Sequence, residues 1–232
     1  MAVSNSFLPT RPRPERSYLR RPSPIHFPTA AVMPEGNLHF ELCITLYLLV
    51  RDFVGERGTV GCDQFMYWDA SDPRQCLAPD LLVRLGGKPG PFPCWKTWEA
   101  GAPHLAVEII SDSDRGEAAW QKKFESYRRA GVDELVRFDA KDEHQPLRLW
   151  DRLEGDLSER DLSGEHARHC DTLGVYWFVQ KNPTLGHVLR LSHDPRGEEL
   201  IPLAAERART AIEQKEAALA RIAELEAELR RR

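Results

Sequence analysis

Asp80, Glu108 and Lys123 are charged residues set among apolar ones. Asp80 opens the run Pro79-Asp80-Leu81-Leu82-Val83, and Glu108 sits inside Leu105-Ala106-Val107-Glu108-Ile109-Ile110. Charges in such settings are costly unless they pair or hold a metal. Two carboxylates and a lysine are what metal-dependent phosphodiester cleavage needs. The carboxylates of Asp80 and Glu108 would bind a hard cation, Mg²⁺ or Mn²⁺. Lys123 would orient the attacking water or stabilise negative charge as it develops. The backbone carbonyl of Ile109, next to Glu108, is a further candidate ligand.

The elements that must position these groups can be read from periodicity. In an extended strand side chains alternate faces, so Glu108 shares its face with Ala106 and Ile110. The competing reading is a half-solvated strand with Glu108 towards water. The mostly apolar face argues instead for a strand inside a sheet. Asp80 alone reads equally well as turn chemistry after Pro79. Its value comes from preceding Glu108 by about one neighbouring strand plus a loop. Lys123 lies three residues after Trp120 and four before Tyr127, on the stripe that Trp120, Phe124 and Tyr127 define. Lys122 is rotated about 100° away from it. Snorkelling, with a buried stem and a solvated ammonium, is the competing reading for Lys123. Glu35 and His39, around the start of the first helix, are accessory candidates; lone residues of this kind more often cap or pack.

Along the chain, residues 1–30 read as a disordered basic arm, with Arg11, Arg13, Arg16, Arg20 and Arg21 against Glu15 and several prolines. It is either a solvated tail or an arm that touches a phosphate backbone. Residues 31–200 read as one nuclease-like domain and 201–232 as a C-terminal helix. A first helix is expected over Asn37 to Val54, with Asn37 as N-cap. Strands are expected over 59–69, 80–85, 104–110 and 134–139, with a hairpin partner at 147–153 and two short strands at 175–179 and 187–191. A helix over 115–130, capped by Asp112 or Asp114 and closed by Gly131, lies between the third and fourth strands. Residues 86–101 and 155–172 read as loop. The last segment carries a weak heptad stripe of Ala204, Ala208, Ala211, Ala218, Ile222, Leu225 and Leu229, interrupted by Lys215. It is either a short dimerising coiled coil or a solvated, fraying helix. The sum is an α/β fold with a central mixed sheet flanked by helices.

Bulk properties narrow the class. A net charge of −4 over 232 residues gives no global basic field to announce nucleic acid, although a local groove can still be basic. Cys43, Cys62, Cys76, Cys94 and Cys170 are scattered, without CxxC spacing, which argues against a disulfide framework or zinc finger and fits a reducing cytoplasm. No apolar run is long enough for a membrane span. There is no P-loop and no GxGxxG. His166, His169 and His193-Asp194 read as surface loop, and the six Trp as packing groups.

The motifs together resemble the bacterial Uma-two family of restriction-endonuclease-like proteins, within the PD-(D/E)XK nuclease superfamily. Ala78-Pro79-Asp80-Leu81-Leu82-Val83 resembles the P-D strand, and Ala106-Val107-Glu108-Ile109-Ile110-Ser111 the Glu-bearing strand. The superfamily lysine would fall at Ile110. In this family it is moved to the next helix, and Lys123-Phe124-Glu125-Ser126-Tyr127-Arg128-Arg129-Ala130-Gly131-Val132 resembles that stretch. Glu35 and His39 stand where the family has an acidic residue and a histidine. Ser111-Asp112-Ser113-Asp114 departs from the family's Ser-Pro-Ser-Thr-like turn and adds two acids near the site. The resemblance covers about residues 32 to 153. It implies a restriction-endonuclease-like core, metal-dependent DNA cleavage leaving a 5′-phosphate, and homodimers. A catalytically silent nuclease fold that binds DNA or protein, dimerised through the C-terminal helix, is the alternative, and RNA in place of DNA is a third reading.

Overall fold

The computed structural model describes residues 36–87, 90–111 and 116–231. The basic arm, Glu35, Asp112 and Asp114 lie outside the described residues. The first helix, α1, spans Asn37–Val54 and buries Leu42, Cys43, Leu46, Leu49, Val50 and Val54 along one face. Asn37 is its first helical residue rather than its cap. Gly36 flanks the helix, and Asn37 Nδ2 instead donates to Glu41 Oε1 at 2.7 Å.

A six-stranded mixed sheet forms the centre. Its strands are β1 (Gly58–Gly61), β4 (Leu81–Leu85), β6 (Leu105–Ile109), β7 (Glu134–Phe138), β8 (Leu147–Leu153) and β9 (Asp156–Glu159), hydrogen-bonded in that order. The only parallel pair among them is β6 with β7, and helix α3 (Glu117–Ala130) makes the crossover. Every other neighbouring pair is antiparallel. Two three-stranded sheets complete the fold. One holds β2 (Met66–Tyr67), β3 (Cys76–Leu77) and β5 (Trp95–Lys96), followed by the single-turn α2 (Thr97–Ala100). The other holds β10 (His169–Cys170), β11 (Val175–Asn182) and β12 (Gly186–Ser192).

Alternation along the central strands splits the core in two. Leu81, Val83, Leu105, Val107 and Ile109 face α1 and the β11–β12 hairpin. Leu82, Ala106, Ile110 and Leu135 face the other way, with Trp120, Tyr127 and Ala130 of α3 and Met66 and Trp95 of the small sheet. Glu108, between Val107 and Ile109, therefore points to the α3 side.

Three expectations about strands and loops are corrected, the first being that 86–101 is loop, since it holds β5 and α2. The strand expected over 59–69 is broken. Asp63 takes a left-handed backbone (φ 61°), Cys62 N–H turns onto Gln64 Oε1, and only Met66–Tyr67 resumes, in a different sheet. Gly61, the last residue of β1, leaves room for the Phe92 ring, which a Cβ there would approach to 2.5 Å. The segment 155–172 is not all loop. It contains β9 and β10, and β9 is held by polar pairs such as the bidentate Arg148–Glu159 contact at 2.7 Å. A strand stabilised by charged partners shows no hydrophobic alternation to read.

The chain ends in α4 (Ala204–Arg231), which buries no residue. Its root is fixed to the domain by Arg190, whose Nη2 reaches Glu206 Oε2 at 2.8 Å, and by an Arg207–Asp52 contact at 2.5 Å. No helix is long and apolar enough to cross a membrane among the described residues.

Candidate active site

Asp80 sits one residue ahead of β4. The antiparallel register pairs Leu81 with Val107, so continuing it by one position sets Asp80 opposite Glu108. Both carboxylates are buried, Asp80 at 5% and Glu108 at 2% exposure. Asp80 Oδ2 accepts the Ile109 N–H at 2.6 Å, which ties it to the end of β6.

Helix α3 completes the corner. Lys123 Nζ donates to Glu108 Oε1, and the Tyr127 hydroxyl donates to Glu108 Oε2. Lys123 and Tyr127 are one helical turn apart, so both reach the same strand residue. The Lys123 side chain is 31% exposed, so its ammonium stands at the boundary between the buried carboxylate and solvent. Lys122 points elsewhere. It lines a cleft of about 410 Å³ with Trp68, Arg74, Gln75, Cys76, Glu125, Ser126 and Arg129.

Burial and the Asp80 charge push the Glu108 carboxyl up to about 8, against the opposing pull of Lys123 and Tyr127. Two carboxylates held together in low dielectric disfavour joint ionisation, and a cation between them reverses that preference. The donors present are hard oxygens: the Asp80 and Glu108 carboxylates and the Ile109 carbonyl. They fit Mg²⁺ or Mn²⁺ by type.

His39, on the first turn of α1, joins the same corner. Its Nε2 lies 2.9 Å from the Ile109 carbonyl oxygen and 3.4 Å from Asp80 Oδ2. Three residues in or beside this corner had no catalytic role in the sequence reading. Tyr127 reads there as part of the apolar stripe and Cys43 only as one of five scattered cysteines. Arg137 pairs in register with Glu108 on β7 and lays its guanidinium over the Trp120 ring. Glu134, at the other end of the same strand and away from the corner, is buried through contacts described below. The only advance signals were the i, i+4 spacings of His39 with Cys43 and of Lys123 with Tyr127. His166 and His169 stay away from the corner, bonded to Tyr176 and Asp171.

Comparison with known proteins gives the wider setting. No curated protein matches the chain. A solved structure, described as a putative nuclease belonging to DUF820 from Anabaena variabilis, is similar at 12% identity. The similarity covers 67% of this chain and 76% of that one, with a TM-score of 0.39. The family model Uma2, described as putative restriction endonuclease, matches residues 29–182, about two thirds of the chain. The chain that builds this corner from Asp80, Glu108 and Lys123 belongs to the Uma2 family.

Proposed function

We propose that this protein is a metal-dependent endonuclease that hydrolyses DNA, with Asp80, Glu108 and Lys123 as its catalytic residues. The observation that carries the proposal is the buried Asp80–Glu108 pair with Lys123 bonded to Glu108 Oε1. Family membership supports the nuclease class, and the choice of DNA rests on that class.

Asp80, Glu108 and the Ile109 carbonyl would hold the cation. Such an ion, when bound, supplies Lewis-acid polarisation of the phosphoryl oxygen and lowers the pKa of a bound water. Lys123 does the positioning: an ammonium anchored on Glu108 and open to solvent can hold a water by one N–H while a second N–H faces the phosphate. Tyr127 holds the far oxygen of Glu108 and so fixes the carboxylate plane. Water attacks phosphorus in line with the 3′ oxygen. A P–O bond to water forms, the P–O3′ bond breaks, the water proton passes to solvent and O3′ leaves with a proton. The product carries a 5′-phosphate. A second copy of the chain would pair through α4, where Ile212, Leu219, Ile222 and Leu229 are exposed.

The test is cleavage of supercoiled plasmid by the purified chain with Mg²⁺ or Mn²⁺, beside an EDTA control and Lys123→Ala. Nicking or linearisation that requires both metal and Lys123 is expected. No cutting together with no calorimetric metal uptake would leave the alternative, a silent nuclease fold used for binding.

A further inference from the structure

The nuclease chemistry above leaves a sulfur donor unused. His39 and Cys43 stand one turn apart on α1, and their ligand atoms lie with an Asp80 carboxylate oxygen within 4.8 Å of one another. All three residues are buried. The set is one nitrogen, one sulfur and one oxygen, and the Ile109 carbonyl adds a fourth donor. Mg²⁺ does not choose sulfur, whereas Zn²⁺ and Co²⁺ accept thiolate and imidazole readily.

The spacing suits such an ion. Bonds of about 2.0–2.3 Å place neighbouring ligand atoms of a tetrahedral zinc site about 3.3–3.6 Å apart. His39 Nε2 lies 3.4 Å from Asp80 Oδ2, 3.8 Å from Cys43 Sγ and 2.9 Å from the Ile109 oxygen. Cys43 Sγ lies 3.5 Å from His39 Nδ1, so the thiol must rotate about its Cα–Cβ bond towards the Nε2 side before it can share an ion with Nε2 and the Asp80 oxygen.

We infer that His39, Cys43, Asp80 and the Ile109 carbonyl form a second cation site, selective for a borderline-soft divalent ion such as Zn²⁺. The ion-free arrangement is a hydrogen-bonded one. The Ile109 carbonyl can only accept, so Nε2 carries the ring proton, and Nδ1 faces the Cys43 thiol at 3.5 Å. On binding, Cys43 loses its thiol proton to solvent. His39 moves its ring proton from Nε2 to Nδ1, freeing Nε2 for the metal. The Cys43 thiol thus contributes one proton per ion bound.

Because Asp80 and the Ile109 carbonyl belong to both donor sets, Zn²⁺ and Mg²⁺ compete. Zinc is then an inhibitor of cleavage, a consequence that rests on the nuclease reading. Binding itself does not rest on it.

Co²⁺ is the probe, because a thiolate ligand gives it a near-ultraviolet charge-transfer band. The full chain is titrated with Co²⁺ and then with Zn²⁺, which should displace it. The band should appear in the wild type and vanish in Cys43→Ser although Cys62, Cys76, Cys94 and Cys170 remain. Zn²⁺ affinity should fall at least about 100-fold in Cys43→Ser, the upper end of what losing a mere supporting residue costs a metal site. Asp80→Asn should weaken it as well. Glu108→Gln should keep the band while losing cleavage, and circular dichroism establishes that each variant is folded. A band that persists in folded Cys43→Ser, or none in the wild type, overturns the site. A wild type that cuts DNA but gives no band refutes this inference alone. One that gives the band but never cuts supports it and refutes only the nuclease reading.

Discussion

Glu108 and Glu134 are two buried glutamates on the two adjacent parallel strands of the sheet, and they are satisfied in opposite ways. Glu134 opens β7 and is 8% exposed. It accepts the backbone N–H groups of Asp171 (3.1 Å) and Thr172 (2.5 Å) and the Thr172 hydroxyl, with Arg160 3.8 Å away. Two of its donors are fixed backbone N–H groups, so it cements the segment leading into β11 onto the sheet. Glu108, near the other end of β6, has two long side chains as donors and a second carboxylate as neighbour. Side-chain donors can move aside for a ligand, whereas backbone donors cannot. For these two glutamates the donors mark the difference: Glu134 is fixed in a structural role, and Glu108 is held by groups that can yield to a ligand.

The widest separation between the two should appear on substitution. Asp80→Asn, Glu108→Gln and Lys123→Ala should each lower metal-dependent cleavage by at least about 10²-fold, the loss typical of removing one preorganised charge-stabilising group. Lys122→Ala, whose side chain lines the neighbouring cleft, should stay within a few-fold of wild type. Equal losses at Lys122 and Lys123 would remove the basis for assigning Lys123. Glu134→Ala should instead cost about 3 kcal/mol of stability, because it strands buried donors and part of the Arg160 charge. Urea unfolding reads this. Glu108→Gln should change stability by less than about 1 kcal/mol, since burial already disfavours its charge. If Glu108→Gln were the more destabilising, the distinction between the two sites would fail.

This contrast was only half visible in the sequence. Glu108 stood out because alternation put it on an apolar face, and Lys123 because helical period separates it from Lys122 by about 100°. Asp80 was legible only through its neighbour. Glu134 was not legible at all: its donors come from residues 171 and 172, and no local pattern announces a contact over 37 or 38 positions. Tyr127 and Cys43 were hidden because an aromatic or a cysteine on a helix's inner face reads as packing. The central strands and α1 were legible from hydrophobic period, Leu147–Leu153 to the residue. The edge strand β9 was not, since its pairing is carried by charges.

Tyr127 tests how far the removable character of the Glu108 donors extends. Tyr127→Phe keeps the ring in the core and deletes one donor to Glu108 Oε2. Stability should fall by about 1 kcal/mol, the net worth of one hydrogen bond. Cleavage should fall several-fold through kcat rather than KM, because the carboxylate plane is less fixed while the DNA contacts remain. A change confined to KM would mean that the Tyr127 hydroxyl touches substrate instead.

The smallest effect belongs to the Glu134 end of the sheet and is read by pH. His104 precedes β6, and its carbonyl accepts the Glu134 N–H at 2.8 Å. Its Nδ1 accepts the Leu85 N–H at 3.1 Å, a bond that a protonated ring cannot accept. Burial, and then the nearby Arg84 charge, hold its pKa below the ordinary 6.5, with Asp133 opposing. In the window between the lowered folded value and 6.5 the unfolded chain binds more protons, so stability rises with pH there and levels off above it. The urea midpoint of the metal-free chain should drop as pH falls below 6.5, and His104→Gln should flatten that part of the curve. The Glu108→Gln variant should retain it. If Glu108→Gln abolished the dependence and His104→Gln did not, the acid sensitivity would belong to the catalytic corner, and the Glu134 end would lose its standing as the fixed half of the pair.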